Sequence, residues 1–274
     1  MRRHTTFSLP DDARGTAAAL GNFDGVHLGH QALLNAARGL DLALAVVTFE
    51  PHPRRFFQPD APAFRLMTPD TRARRLETLG LAELFEVTFD AEFAALSPEA
   101  FVQNILIDRL GIAHVVVGDD FRFGKARAGT VEILQRLGDE AGLGVSILGQ
   151  VADGTTEVSS TRIRTALSEG RPRDAARLLG HWHRIEGEVE HGEKRGRELG
   201  YPTANLSLEG LHLPRFGVYA VRVEVLDGAH RGTFDGVASL GVRPMFGENR
   251  PNFETFLFDF EGDLYGAHIS VALV

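Results

Sequence analysis

The stretch GNFDGVHLGH, residues 21–30, decides how the first half of the chain folds. Ahead of it, residues 16–20 form a short apolar run that reads as the tail of a strand. Behind it, Leu28, Ala32, Leu33, Ala36 and Leu40 recur at helical spacing. The ten residues therefore turn the chain from the first strand to the first helix of an α/β unit. Such a turn aims backbone N–H groups and the positive end of a helix dipole at one point, which suits a phosphate. Gly21 and Gly25 let the backbone come close, because they lack a Cβ and tolerate positive φ. His27 and His30, three apart, share one side of the first helical turn. Two such histidines also fit surface positions or half of a metal site. Zinc would need further ligands, and the chain has no cysteine and no second histidine pair at ligand spacing. The loop is built for a polyphosphate.

At 274 residues the chain is long for one domain, and two are expected. An apolar content of 43% suffices for ordinary cores, and 24% charged residues argue against extensive disorder. A formal charge of −8 gives no support for nucleic-acid binding, which shows a basic excess. The absence of cysteine excludes a disulfide framework and fits a cytoplasmic protein. The opening MRRHTTFSLPDDARG lacks the apolar segment of a secretory signal, and the longest apolar runs, such as residues 42–47, are strand-sized. The expectation is a soluble enzyme working on small molecules, with neither a nucleic-acid nor a membrane partner. Homo-oligomers are compatible with it, but no motif encodes them. Only two of the 29 basic residues are lysines, Lys125 and Lys194, and both sit in glycine-flanked loops.

Through about residue 180, buried-looking strands alternate with helical segments. LALAVVTF (42–49), LFEVTF (84–89), HVVVG (114–118) and GVSIL (144–148) are short and nearly continuous in apolar character, the pattern of parallel strands covered on both faces. Between them, Thr68-Pro69-Asp70 and Ser97-Pro98-Glu99 each open a helix with a cap, a proline and an acid. Those helices are expected to stop at Gly80 and Gly111. Strand and helix in repetition predict a Rossmann-like, doubly wound sheet with its chemistry in the loops after the strands.

Three further loops stand out. TFEPHP (48–53) exposes Glu50 and His52 on a path fixed by two prolines, and by itself also reads as a rigid turn. GDDFRFGKARAG (118–129) mixes Phe121 and Phe123 with Arg122, Lys125 and Arg127; it suits a flat heterocycle bearing a phosphate, or a basic loop anchored by its phenylalanines. SSTRIR (159–164) opens a helix that Ser160 or Thr161 can cap. Arg162 and Arg164 then oppose the helix dipole, which calls for an anionic partner.

These four strings resemble, in order and near-spacing, the HxGH nucleotidyltransferase half of bacterial bifunctional riboflavin kinase/FMN adenylyltransferases. The resemblance covers residues 14–180 and implies that FMN and ATP give FAD and pyrophosphate. The FMN phosphate attacks the α-phosphorus directly, so catalysis rests on alignment and charge stabilisation. It implies an ATP site of Gly21, Asn22, Phe23, Asp24, Gly25, His27, His30, Ser160, Thr161 and Arg164. Of these, His27, His30 and Arg164 are catalytic. It puts Asp120, Phe121, Phe123 and Arg127 on the FMN side.

After Gly180 the texture changes. RPRDAARLLG (171–180) reads as a last helix, and HWHR (181–184) as a connector with two solvated histidines. Beyond it Tyr219, Val221, Val223 and Val225 alternate with polar residues, and Asp227-Gly228 supplies a turn. Many short strands with glycine turns predict a small antiparallel barrel over 181–274, following an adenylyltransferase domain over 1–180. GEKRGRELGYPTANL (192–206) offers glycines and basic residues to phosphates, and Thr203 and Asn205 as hard oxygen ligands for Mg²⁺.

This segment resembles the PTAN motif of riboflavin kinase, and GVYAV, GVRPMF and FETFLFDFEGDLYG follow in the kinase's order. The resemblance implies ATP and flavin contacts at Gly192, Lys194, Gly196, Arg197, Pro202, Thr203 and Asn205, with Mg²⁺ on the last two. Glu254 is then the catalytic base for the ribityl 5′-hydroxyl of riboflavin. Without it, Glu254 reads as a polar residue on an outward barrel face. Ser239, Met245 and Phe256 depart from the kinase pattern of Asn, Thr and His. Relatives also continue past the position of Val274 through a further strand and helix, so an unpaired barrel edge is expected. The alternative function is an adenylyltransferase alone, its barrel a non-catalytic module binding flavin or a partner.

Overall fold

Apolar runs become strands, and amphipathic stretches become helices, in the computed structural model, which describes residues 1–154, 156–190, 203–242 and 251–274. Contacts divide the chain into two units: Met1–Pro62 with Arg72–Val158, and Ala63–Thr71 with Ser159–Val274.

The first unit is organised on six strands, β1 (Arg2–His4), β2 (Ala17–Leu20), β3 (Leu44–Glu50), β4 (Glu83–Thr88), β5 (His114–Gly118) and β6 (Gly144–Leu148). Their spatial order is β1-β4-β3-β2-β5-β6, and every neighbouring pair is parallel. Helices α1 (Leu28–Arg38), α2 (Pro53–Phe57), α3 (Pro69–Thr78), α4 (Ala91–Ala94), α5 (Pro98–Ala100) and α6 (Val131–Ala141) lie between the strands in sequence, and a short hairpin, β7 (Ala152–Asp153) and β8 (Thr156–Glu157), follows them. Residues of both parities along β2, β3 and β5 are buried, so the sheet is covered on both faces, as the unbroken apolar runs require. From β2 the chain winds outward through β3 and β4, then crosses to β5 and β6. The winding reverses at the β2–β5 pair, and open α/β sheets bind ligands beyond the carboxyl ends of the strands at such a reversal.

One helix differs from its reading. Ser97 caps it, its Oγ accepting from the Ala100 N–H at 3.2 Å, but beyond Ala100 the turn widens to a π-helix over Phe101–Arg109. The Leu110 N–H donates to the Ile105 carbonyl at 2.9 Å. Buried positions 101, 102, 105, 106 and 110 recur at the longer period of that wider turn, so burial of the apolar face selects it.

The second unit contains α7 (Ser160–Ser168), α8 (Pro172–Leu179) and six antiparallel strands: β9 (Arg184–Glu188), β10 (Ala204–Leu206), β11 (Gly217–Val225), β12 (Gly232–Val242), β13 (Pro251–Leu257) and β14 (His268–Leu273). Their order is β10-β13-β12-β11-β14-β9. Tyr219, Val221, Val223 and Val225 point into the core with Phe253, Leu257 and Ile269. The two outermost strands are joined, because the Glu190 N–H just past β9 donates to the Asn205 carbonyl on β10 at 3.0 Å. The barrel is thus nearly closed by strands within residues 184–273, and the open edge expected from the sequence is bridged. His183 departs from its reading as solvated: it is 4% exposed, and its carbonyl accepts from the Leu273 N–H at 2.9 Å.

Candidate active sites

The turn after β2 is tightly folded. Phe23, Gly25 and Val26 all have positive φ, +51°, +91° and +44°. For a β-branched residue such as Val26 that region costs about 1–3 kcal/mol, and it is held only by its surroundings. Val26 is fully buried, and its carbonyl accepts from Gln31 Nε2 at 2.9 Å. The turn delivers His27 as the cap of α1, with Nδ1 accepting from the His30 N–H at 3.4 Å. The two imidazoles stack at 3.7 Å between centroids and 16° between planes. Phe23, fully buried, stacks on His30 as well, at 4.6 Å. Burial first, then the neighbouring His27 and Arg72, push His30 well below the usual histidine range, so its ring is neutral near pH 7. His30 Nδ1 is buried without a hydrogen-bond partner.

Three residues that the sequence reading did not single out hold this turn. Gly29 leaves room for the His27 ring: a Cβ there would lie 3.1 Å from its Cε1 and Nδ1. Thr48, at 0% exposure on β3, donates from Oγ1 to the Asn22 carbonyl at 3.2 Å. Arg72 on α3, 3% exposed, donates from Nη1 to the same carbonyl at 3.3 Å, and its Nη2 bonds Glu86 Oε1 at 2.5 Å and Glu50 Oε1 at 2.8 Å. Arg3 Nε meets the other oxygen of Glu86 at 2.5 Å. Glu50, exposed in the TFEPHP reading, is thus paired, with His52 capping α2. Nothing in local sequence marks Arg72 apart from the other arginines of its helix; burial does.

The loops after β3 and β5 leave the sheet on either side of the turn after β2, since those strands flank it. In the β5 loop, Phe123 and Gly129 exchange two backbone hydrogen bonds, at 3.1 and 2.8 Å, pinching the loop at its base. Phe123 is buried in the core and touches Phe101 at 5.3 Å, so here it is an anchor. Phe121 stacks on it at 5.6 Å and is half-buried, while Asp120 and Arg127 are exposed.

Ser160, Thr161 and Arg164 lie in the second unit, on α7. The helix cap is Ser159, whose Oγ accepts from the Arg162 N–H at 3.4 Å, rather than Ser160 or Thr161. Ser159 takes the extended backbone that a cap needs, and Ser160 is already helical. Arg164 Nε donates to the Phe64 carbonyl at 2.6 Å, and its guanidinium lies 5.5 Å over the Phe64 ring.

On the barrel, strand register sets Glu254 directly across from Asn205 on one side and Ser239 on the other. These side chains alternate with the buried Phe253 and Thr255, so they occupy the face turned away from the core. Asn252 Nδ2, a contact not anticipated from sequence, donates to Glu254 Oε1 at 2.9 Å. Asn205 Nδ2 reaches the Thr203 carbonyl at 3.4 Å. Gly192, Lys194, Gly196, Arg197, Pro202 and Met245 lie outside the described residues. Among the described residues no group of three or more His, Cys, Asp or Glu side chains is placed to hold a metal, and no helix is long and apolar enough to cross a membrane.

Residues 9–162 match the FAD synthetase family and residues 179–274 the riboflavin kinase family. The chain is 41% identical over 272 residues to the bifunctional riboflavin kinase/FMN adenylyltransferase of Pseudomonas fluorescens, covering 96% of this chain and 85% of that protein. It is 40% identical to the Escherichia coli K12 protein of the same name over 274 residues, covering 98% and 86%. A crystal structure described as a macrolide-efflux protein from Streptococcus pneumoniae superposes with a TM-score of 0.84 at 33% identity, covering 99% of this chain and 89% of that one.

Proposed function

Since the chain belongs to the bifunctional riboflavin kinase/FMN adenylyltransferase family, we propose that it phosphorylates riboflavin to FMN and joins FMN to the adenylyl group of ATP, giving FAD. The observation that carries the second reaction is the stacked His27–His30 pair on the turn of the strand where the sheet's winding reverses. An oxygen of the FMN phosphate attacks the α-phosphorus of ATP, the bond to the bridging oxygen breaks, and pyrophosphate departs. His27 and His30 meet the charge growing on pyrophosphate. The backbone at Gly21, Asn22, Phe23, Asp24 and Gly25 takes part in binding the triphosphate, as do Ser160, Thr161 and Arg164. Losing one well-aimed donor such as Arg164 costs about 3 kcal/mol of transition-state stabilisation. Asp120, Phe121 and Arg127 receive FMN, with Phe123 supporting the Phe121 ring.

In the kinase step Glu254 takes the proton from the ribityl 5′-hydroxyl as its oxygen attacks the γ-phosphorus, and ADP leaves. Asn205, one strand away, and Thr203 offer the hard oxygen donors that suit Mg²⁺, which would neutralise phosphate charge there. Gly192, Lys194, Gly196, Arg197 and Pro202 complete the phosphate cradle. The adenylyltransferase domain extends to residue 180, and the kinase occupies 181–274. The enzyme works in the cytoplasm on small molecules, without nucleic-acid or membrane partners.

The test supplies ATP and Mg²⁺ with either riboflavin or FMN and identifies the flavins by chromatography. FMN and FAD from riboflavin are expected. FAD from FMN but nothing from riboflavin would leave the barrel a binding module, and neither product would refute both assignments.

A further inference from the structure

The loop between β10 and β11 belongs to the barrel, yet His212 and Arg215 in it bond the segments that hold Arg164. The His212 N–H donates to the Arg65 carbonyl at 2.7 Å, and Leu211 pairs with Arg65 in a parallel bridge. The residue before Arg65 is Phe64, whose carbonyl takes the Arg164 Nε hydrogen bond and whose ring lies under the guanidinium. On the helix side, His212 Nε2 lies 3.0 Å from the Arg164 carbonyl and 3.0 Å from Ser168 Oγ. A carbonyl only accepts, so Nε2 carries the proton. The Arg215 N–H then donates to the Leu167 carbonyl at 2.9 Å. The loop therefore grips Arg164 at both ends: the main chain through Nε2, and the side chain through the backbone that fixes Phe64.

From this we infer that His212, a barrel residue outside both proposed active sites, is a positioning residue for FAD formation, holding the Arg164 guanidinium in its working direction. The inference rests on the proposed role of Arg164 in that reaction. It gives the kinase half a residue on which the adenylyltransferase half depends, with kinase chemistry left independent of it.

The experiment compares His212→Ala, His212→Gln, Arg164→Ala and the double variant His212→Ala/Arg164→Ala in the full chain. Misaligning a group that acts in the transition state should lower kcat/KM for FAD formation from FMN by roughly tenfold or more in His212→Ala. Riboflavin phosphorylation by the same protein should stay near the unmodified level, which reports an intact barrel. His212→Gln keeps a donor near the Nε2 position and should recover most of the loss. In the Arg164→Ala background, removing His212 should cost nothing further. Unchanged FAD formation in His212→Ala beside a crippled Arg164→Ala would overturn the inference. So would a parallel fall in both activities, which would mean the loop merely holds the fold. Full activity in Arg164→Ala would instead overturn the underlying role of Arg164.

Discussion

Gly29→Ala separates what the turn after β2 does for stability from what it does for catalysis. Gly29 is in the first turn of α1, where alanine is the better helix former by up to about 1 kcal/mol. The new methyl, however, would stand 3.1 Å from Cε1 and Nδ1 of His27, a few tenths of an ångström inside ordinary contact. The ring must yield, because the backbone of the helix will not. The His27 ring, stacked on His30 at 3.7 Å with Nδ1 accepting from the His30 N–H at 3.4 Å, can turn about its side-chain torsions, so it is the softer partner. A displacement of about 1 Å in a catalytic group can cost about a hundredfold, so a few tenths should lower kcat for FAD formation by roughly tenfold. Stability should hold or rise slightly. The assay follows FMN conversion to FAD at saturating ATP, with riboflavin phosphorylation as an internal control and thermal unfolding alongside. Full FAD formation in a protein that unfolds at or above the normal temperature would show that the His27 ring position is unimportant, and would refute the reasoning.

Glu254→Gln should reduce FMN formation from riboflavin by roughly a hundredfold or more, as expected for a lost general base, and leave FAD formation from supplied FMN intact; equal loss of both would contradict separate sites. Arg72→Leu removes the buried one of the two arginines that pair the buried Glu86 carboxylate and should cost about 3 kcal/mol in urea unfolding, with partial recovery in Arg72→Leu/Glu86→Gln. A fully stable Arg72→Leu would show that Arg3 alone satisfies Glu86. His183, ordinarily near 6.5, is pushed down to about 3 by burial, then by His181 and His212. The unfolded chain therefore binds the proton that the fold refuses: this contribution is complete above about pH 6.5 and is lost toward pH 3, at up to about 1.4 kcal/mol per pH unit. Urea titrations at pH 7.5, 6 and 5 should show the decline, and His183→Leu should flatten it. An unchanged slope in that variant would place the loss elsewhere.

Legibility followed how local each interaction is. The parallel sheet could be read because its central strands β2, β3 and β5 are buried on both faces and are therefore unbroken apolar runs, and the barrel because half-buried strands such as β11 alternate. Ser97 could be read as a cap because its partner is three residues away, while at 159–161 three consecutive hydroxyl residues left the choice to backbone geometry. His183 was misread because its burial comes from residues distant in sequence.

From its sequence alone, this protein could be assigned its two kinds of layer, the glycine turn that carries His27 and His30, and the Glu254 strand. All of these depend on residues within a few positions of one another. Only the tertiary structure decided that Arg72 and Thr48 converge on the Asn22 carbonyl, that Glu190 bridges to Asn205, and that His212 reaches back to Arg164. Those contacts join segments from 15 to 50 residues apart. Hydrogen-bond chemistry permits many partners at such separations, and only the packed sheet and barrel select one.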